Sequence, residues 1–179
     1  MKHVVKILKN LLIIPVAALF ISACSSDGPE IEQPEKIYYD QAQRRMIAKN
    51  YNGAIESLEA IENRYPFGKY AEQAQVELIY AHFMNTETEA AHSAAEKFIR
   101  LHPRHPNIDY AYFMKGLSSY TRDRDVLLRF TDTDIANRDI SGAKESFSEL
   151  TEFLTRFPDS QYAQYANCLL YTSPSPRDT

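Results

Sequence analysis

Tyr65-Pro66-Phe67-Gly68-Lys69-Tyr70-Ala71 is one of three copies of a phrase that punctuates the chain. The others are His105-Pro106-Asn107-Ile108-Asp109-Tyr110-Ala111 and Phe157-Pro158-Asp159-Ser160-Gln161-Tyr162-Ala163. Each runs from a ring through Pro and three further residues to Tyr-Ala. Proline cannot continue a helix, and it biases the residue before it away from helical geometry. Each phrase is therefore expected to end one helix and open the next, with Asn107, Asp159 and Ser160 as N-terminal caps. A breaker that recurs at intervals points to an all-α array of stacked helix pairs rather than one irregular core.

The helices between the phrases carry small residues at regular spacing. In residues 36–66, Tyr38 and Ala42 mark the first helix. Tyr51 and Ala54 open the second, and Ile55, Leu58 and Ile61 give it an apolar face. Small side chains let antiparallel helices approach closely. Asn52-Gly53 is placed at the turn or first turn of that second helix. The next unit, Tyr70 to Pro103, has Ala74, Leu78 and Ala81 on its first helix, then a turn over Asn85–Glu89. Its second helix carries Ala91, Ala94, Ala95, Phe98 and Ile99. The third unit begins near Ile108 with Tyr112, Phe113, Gly116, Leu117 and Tyr120, Gly116 being the close-approach residue. Arg122–Asp139 reads as a long turn that packs on something, with Arg122, Phe130 and Arg138 as partner-contact candidates. The closing helix, about Ser141 to Phe157, carries Ala143, Phe147, Leu150, Phe153 and Leu154. A fourth unit starts at Ser160 and runs to Asn167. Residues 168–179 (CLLYTSPSPRDT) show no helical periodicity and match the translation of a widely used sequencing adapter. They are expected to be an artefact that cannot extend the array, with the native protein longer.

Before the array, Met1 to Lys9 is basic and Leu11 to Ser22 is an apolar run of 12 residues. That is short for a membrane span and suited to a signal-peptide core. Ile21-Ser22-Ala23-Cys24 follows and resembles the bacterial lipobox, so residues 1–23 read as a lipoprotein signal peptide. The resemblance implies that Cys24 carries a covalent diacylglycerol and an N-acyl chain once the signal is cut. Several acyl chains give stable anchoring where one does not. Ser25 after Cys24 implies export to the outer membrane. Residues 24–34 read as a flexible tether, and 35–167 as the repeat domain. With Cys168 set aside, Cys24 is alone and no disulfide forms.

Residues 24–167 hold 16 basic and 23 acidic side chains, net −7. An acidic body excludes a typical nucleic-acid binder and makes no charge-driven contact with anionic lipid. No Gly-rich phosphate loop, nucleophile elbow or paired carboxylates occur, so no catalysis is expected. His102-Pro103-Arg104-His105 places two His three apart, but prolines intervene and no Cys partner exists, so no metal is expected. The aromatic residues carry more. Tyr39, Tyr80 and Tyr112 are the exposed candidates on first helices, which would line a concave face. With Arg44, Arg45 and Lys69 nearby, they could hold an extended peptide ending in an aromatic residue and a carboxylate.

The first unit fits the 34-residue tetratricopeptide pattern, which implies a right-handed superhelix of about three units plus the start of a fourth. Arg45 and Gln41 depart from it where Tyr and Leu are usual. Over residues 22–167 the chain resembles the BamD family of lipoproteins in the outer-membrane β-barrel assembly (BAM) machinery. The resemblance rests on Asn63-Arg64-Tyr65-Pro66-Phe67-Gly68, Leu78-Ile79-Tyr80-Ala81, Arg100-Leu101-His102-Pro103 and His105-Pro106-Asn107-Ile108-Asp109-Tyr110. Lys115-Gly116-Leu117, Asp134 through Arg138-Asp139 and Phe157–Tyr162 add to it. It implies a scaffold that binds unfolded outer-membrane β-barrel proteins, BamA and partner lipoproteins. The rival reading is a structural periplasmic lipoprotein that links the outer membrane to peptidoglycan or division proteins.

Overall fold

The computed structural model describes residues 34–129 and 141–172. Among these are seven helices and no strand: α1 (Glu35–Ile47), α2 (Tyr51–Arg64), α3 (Ala71–Met84), α4 (Thr88–Leu101), α5 (Ile108–Arg129), α6 (Ser141–Arg156) and α7 (Ala163–Thr172). Each packs mainly against its neighbours in sequence, and α3 also touches α5. The three proline phrases lie between α2 and α3, α4 and α5, and α6 and α7, as their chemistry requires.

Side-chain contacts give the helix directions. Tyr38 near the start of α1 accepts a hydrogen bond from Arg64 at the end of α2. Arg45 near the end of α1 donates to the Gly53 carbonyl at the start of α2 over 2.5 Å. The pair is antiparallel. Glu35, which opens α1, accepts the backbone N–H groups of Lys69 (3.1 Å) and Tyr70 (2.7 Å) just before α3. First helices therefore run parallel to one another, and all three proline phrases share one end of the array.

The buried side chains fall into two clusters. One holds Tyr38, Ala42, Ile55, Leu58, Ile61, Ala74, Leu78 and Ala81. The other holds Val76, Ile79, Ala95, Phe98, Ala111, Phe113, Met114, Leu150, Phe153 and Ala166. Helix α3 feeds both, because a repeat inside an array buries opposite faces against the units before and after it. Gly116 is needed where α5 crosses α6. A Cβ there would stand 2.8 Å from Leu150 Cδ2 and 3.2 Å from the Leu150 backbone nitrogen.

The turns after α1 and α3 are the same motif built twice. Asn50 N–H bonds to the Arg45 carbonyl at 2.8 Å, and Glu87 N–H to that of His82 at 3.0 Å. These are the wrap-around bonds of a Schellman end, which puts one residue in left-handed backbone. Lys49 (φ 57°) and Thr86 (φ 64°) hold that position, although glycine suits it best. Of the two places expected for Asn52-Gly53, the structure takes the first turn of α2. Asn50 caps α2 by accepting the Gly53 N–H at 3.1 Å, which places Gly53 inside the first helical turn.

Two expectations need correction. The long turn expected from Arg122 is helix as far as Arg129. Residues 122–129 contain neither Pro nor Gly, so nothing stops α5 after Tyr120. Likewise α7 does not stop at Asn167 but continues through Cys168 to Thr172. Leu169 and Leu170 sit three and four residues after buried Ala166 and pack against the second cluster, extending the same helical face. Residues 1–33, with Cys24 and the tether up to Pro34, lie outside the described residues, as do Phe130, Arg138 and 173–179. No described helix is long and apolar enough to cross a membrane.

Candidate functional site: an aromatic and polar face on the first helices

The expected peptide-binding residues are held in separate contacts. Tyr39 on α1 is half-buried and stacks on Tyr70, with ring centroids 4.5 Å apart and planes at 19°. Its hydroxyl donates to Glu77 on α3 over 2.8 Å. Gln43 and Gln73 donate to the same carboxylate at 2.5 and 2.8 Å. Burial, then the bond to Glu77, pushes the Tyr39 phenol well above its ordinary value. Lys69 Nζ stands 5.6 Å from the Tyr70 ring centroid. Tyr39, Tyr70, Gln43, Gln73, Glu77 and Lys69 thus make an aromatic and polar platform across α1 and α3.

Tyr80 lies further along α3, 39% exposed. Its ring meets Tyr51 edge-on at 6.2 Å. Burial and the hydroxyl contact with Tyr51 raise its phenol. Tyr112 on α5 is half-buried against Phe157, 5.3 Å away, with the Arg156 guanidinium 5.2 Å above its ring. The two arginines differ. Arg44 is exposed on α1. Arg45 is committed to the helix pair through the Gly53 carbonyl and the Ser57 hydroxyl, the latter at 2.8 Å. It stands where the repeat pattern usually has an aromatic residue and closes the same seam by hydrogen bonding. Arg45 is therefore a structural side chain, whereas Arg44 can receive a carboxylate.

Arg122 is not on a loop. It bridges Glu89 on α4 (2.7 Å) and Glu145 on α6 (2.6 Å). One turn deeper, Glu149 on α6 takes His92 Nε2 at 2.8 Å and the Ser119 hydroxyl at 2.7 Å, with Lys115 Nζ at 3.3 Å. Burial pushes the Glu149 carboxyl up, but His92, Ser119 and Lys115 more than offset this and hold it below its ordinary value. The bond to Glu149 raises the His92 imidazole against the opposing effect of burial. Nothing in the sequence pattern singles out His92. Its partner lies 57 residues away, and no local pattern announces such a pair.

His92, Glu145 and Glu149 offer ligand atoms within 4.8 Å of one another. Lys115 and Arg122 already neutralise those carboxylates, so a cation would have to displace both. The His102 and His105 rings pack on Phe98, each 5.0 Å away. His105 Nδ1 accepts the Asn107 N–H at 3.0 Å, which leaves the proton of the neutral ring on Nε2, facing Glu72 at 3.8 Å. That tautomer has no lone pair for a metal on the Glu72 side.

Stacked antiparallel helix pairs, small residues in their seams and a proline phrase between units define a repeat scaffold. The tetratricopeptide-repeat profile matches residues 25–170, and the chain belongs to that family. Within it, the chain is similar to proteins named outer membrane protein assembly factor BamD. That of Neisseria gonorrhoeae is 34% identical over 164 residues, covering 87% of this chain and 61% of the relative. That of Vibrio cholerae is 35% identical over 153 residues, covering 84% of this chain and 63% of the relative. That of Pasteurella multocida is 30% identical over 159 residues, covering 89% and 61%. The chain therefore spans less than two thirds of the length of these curated relatives.

Proposed function

We propose that this chain is a non-catalytic scaffold of the outer-membrane β-barrel assembly complex. It would be held on the periplasmic face of the outer membrane by acyl chains on Cys24, and would bind nascent barrel proteins and BamA. The observation that carries this reading is the similarity to BamD proteins across more than four fifths of the chain. The platform of Tyr39, Tyr70 and Glu77, with exposed Arg44 on the same helix as Tyr39, is consistent with a peptide site. Tyr supplies flat apolar area at low entropic cost. The Glu77 carboxylate repels a peptide's own carboxylate, so the peptide terminus is directed to Arg44 and its aromatic residue to Tyr39 and Tyr70. Tyr80 and Tyr112 would extend contact along the first helices.

Fluorescence anisotropy with a peptide from a barrel's last strand tests the site. Arg44→Glu should weaken binding about tenfold, the size of one lost charge-assisted contact. Arg45→Glu should instead lower the melting temperature. Equal affinity for wild type and Arg44→Glu would remove the site. The anchor is tested separately: labelled palmitate should appear on the wild-type chain and be absent from Cys24→Ser.

A further inference from the structure

Phe67 is 100% exposed, the most exposed large apolar side chain among the described residues. It is not a swinging tip. Gly68 N–H bonds to the Tyr65 carbonyl at 2.8 Å and closes the turn. Glu35 then staples that turn from α1 through the Lys69 and Tyr70 N–H groups. A Cβ at Gly68 would overlap Glu35 Oε1, so a larger residue there has to push the stapling carboxylate aside. A stapled turn holding a bare ring in water gives up apolar burial that a partner would restore.

The position of the ring indicates the partner. Glu35, which makes the staple, directly follows Pro34, where the tether from Cys24 enters the fold. Cys24 to Pro34 is ten residue steps, which can span at most about 35 Å. A bilayer holding Cys24 is therefore always within reach of the Phe67 turn, at a high effective concentration. The surroundings suit a bilayer interface. The Glu35 carboxylate accepts two backbone N–H groups, and exposed Lys69 and Arg104 stand at the same end together with exposed Glu72 and Asp159. Leu101, also at that end, is 52% exposed. Net charge does not draw the acidic body to lipid, so a second contact has to be apolar.

We propose that Phe67 inserts into the interfacial layer of the membrane that anchors Cys24, turning the proline-phrase end of the array toward the bilayer. This rests on the lipid anchor proposed above and adds an orientation to it. The opposite end, where Ile47 is 83% exposed, then points away from the membrane. Helix α1 separates the two ends by about 20 Å.

The chain has no Trp, so Phe67→Trp introduces a single tryptophan, whose emission lies to the red of the 12 Tyr and is excited apart from them. The full lipidated chain is reconstituted into phosphatidylcholine vesicles with plain or brominated acyl chains, beside an Ile47→Trp control. The expected result is that Phe67→Trp emits to the blue of Ile47→Trp and loses more than half of its emission in brominated vesicles, while Ile47→Trp keeps its emission. If both variants float with the vesicles but quench equally little, the insertion is overturned while the anchor stands. If Phe67→Trp is blue-shifted without bromine quenching, a protein surface covers the ring and the insertion is also overturned. If neither variant floats, the anchor fails and the insertion with it.

Discussion

Around α1, α2 and the near face of α3, the buried groups are Tyr38, Ala42, Ile55, Leu58, Ile61, Ala74, Leu78 and Ala81. Between α4, α5 and α6 the apolar packing of Phe98, Leu150 and Phe153 continues, but charge crosses the joint as well. Glu89, Arg122 and Glu145 form one rung, and His92, Glu149, Ser119 and Lys115 form a deeper one. The first joint is crossed by hydrogen bonds from Arg45 to Gly53 and Ser57 and from Arg64 to Tyr38, all to neutral oxygens, and otherwise depends on area removed from water, so it has little pH dependence. The second adds partners that fix which turn of α4 faces which turn of α6. In return it depends on protonation, because charges removed from water are tolerated only when paired.

The largest expected effect breaks each joint separately. Leu58→Ala should cost about 3 kcal/mol through a cavity. Glu149→Ala should cost about 3 kcal/mol by leaving His92 and Lys115 without their carboxylate. Urea unfolding at several pH values separates the two. The Leu58→Ala deficit should stay constant, and the Glu149→Ala deficit should shrink at high pH. A Glu149→Ala loss independent of pH would show that the rung contributes no charge pairing.

Next in size is the pH profile of the rung itself. His92 is raised above its ordinary 6.5, so its contribution is complete below about that pH and is lost as pH rises through the folded value. Glu149 is held below its ordinary 4.5, so its contribution is present above that pH and is lost as pH falls through the depressed value. The charged groups facing the pair are Lys115 from α5 and Glu145 from α6. Stability should therefore fall as pH rises above about 6.5 more steeply in wild type than in His92→Gln, which keeps a donor but no charge. Parallel slopes would remove His92 from the account.

Gly116→Ala sharpens the comparison at the α5–α6 crossing. Ala is the better helix former by about 1 kcal/mol. Its methyl, however, has to displace fully buried Leu150, a strain of about 1–3 kcal/mol. A net loss of about 1 kcal/mol is expected, whereas a gain would show that the seam can open. The smallest effect lies at the turn between the two regions. Thr86 is β-branched in left-handed backbone, so Thr86→Gly should stabilise by about 0.5–1 kcal/mol, read as a higher melting temperature.

The local parts of the fold were legible in the residues. Tyr65-Pro66, His105-Pro106 and Phe157-Pro158 located three helix ends, because proline acts on its own backbone. Ala54, Leu58 and Ile61 gave the buried face of α2 through spacing alone. Gly116 stood out as a small residue in a helix. The misreadings also have physical causes. Arg122–Arg129, the start of the long turn expected over Arg122–Asp139, leaves the repeat pattern, but a stretch without Pro or Gly keeps its helix. Lys49 gave no turn signal because a side chain ill suited to left-handed backbone holds that position, whereas the turn expected over Asn85–Glu89 lies where α3 ends at Met84 and α4 begins at Thr88. Tyr39, Tyr80 and Tyr112 shared a pattern in sequence, yet their neighbours Tyr70, Tyr51 and Arg156 place them in three different contacts.

By itself the sequence determined the helix ends at the three proline phrases and which faces the helices bury, since those depend on residues within a turn or two of one another. Only the tertiary structure decided that Arg45 closes a seam while Arg44 stays exposed, that His92 meets Glu149, and that Phe67 stands beside the point where the tether enters. Each of these depends on which helices pack side by side, and a partner dozens of residues away leaves no trace in local spacing.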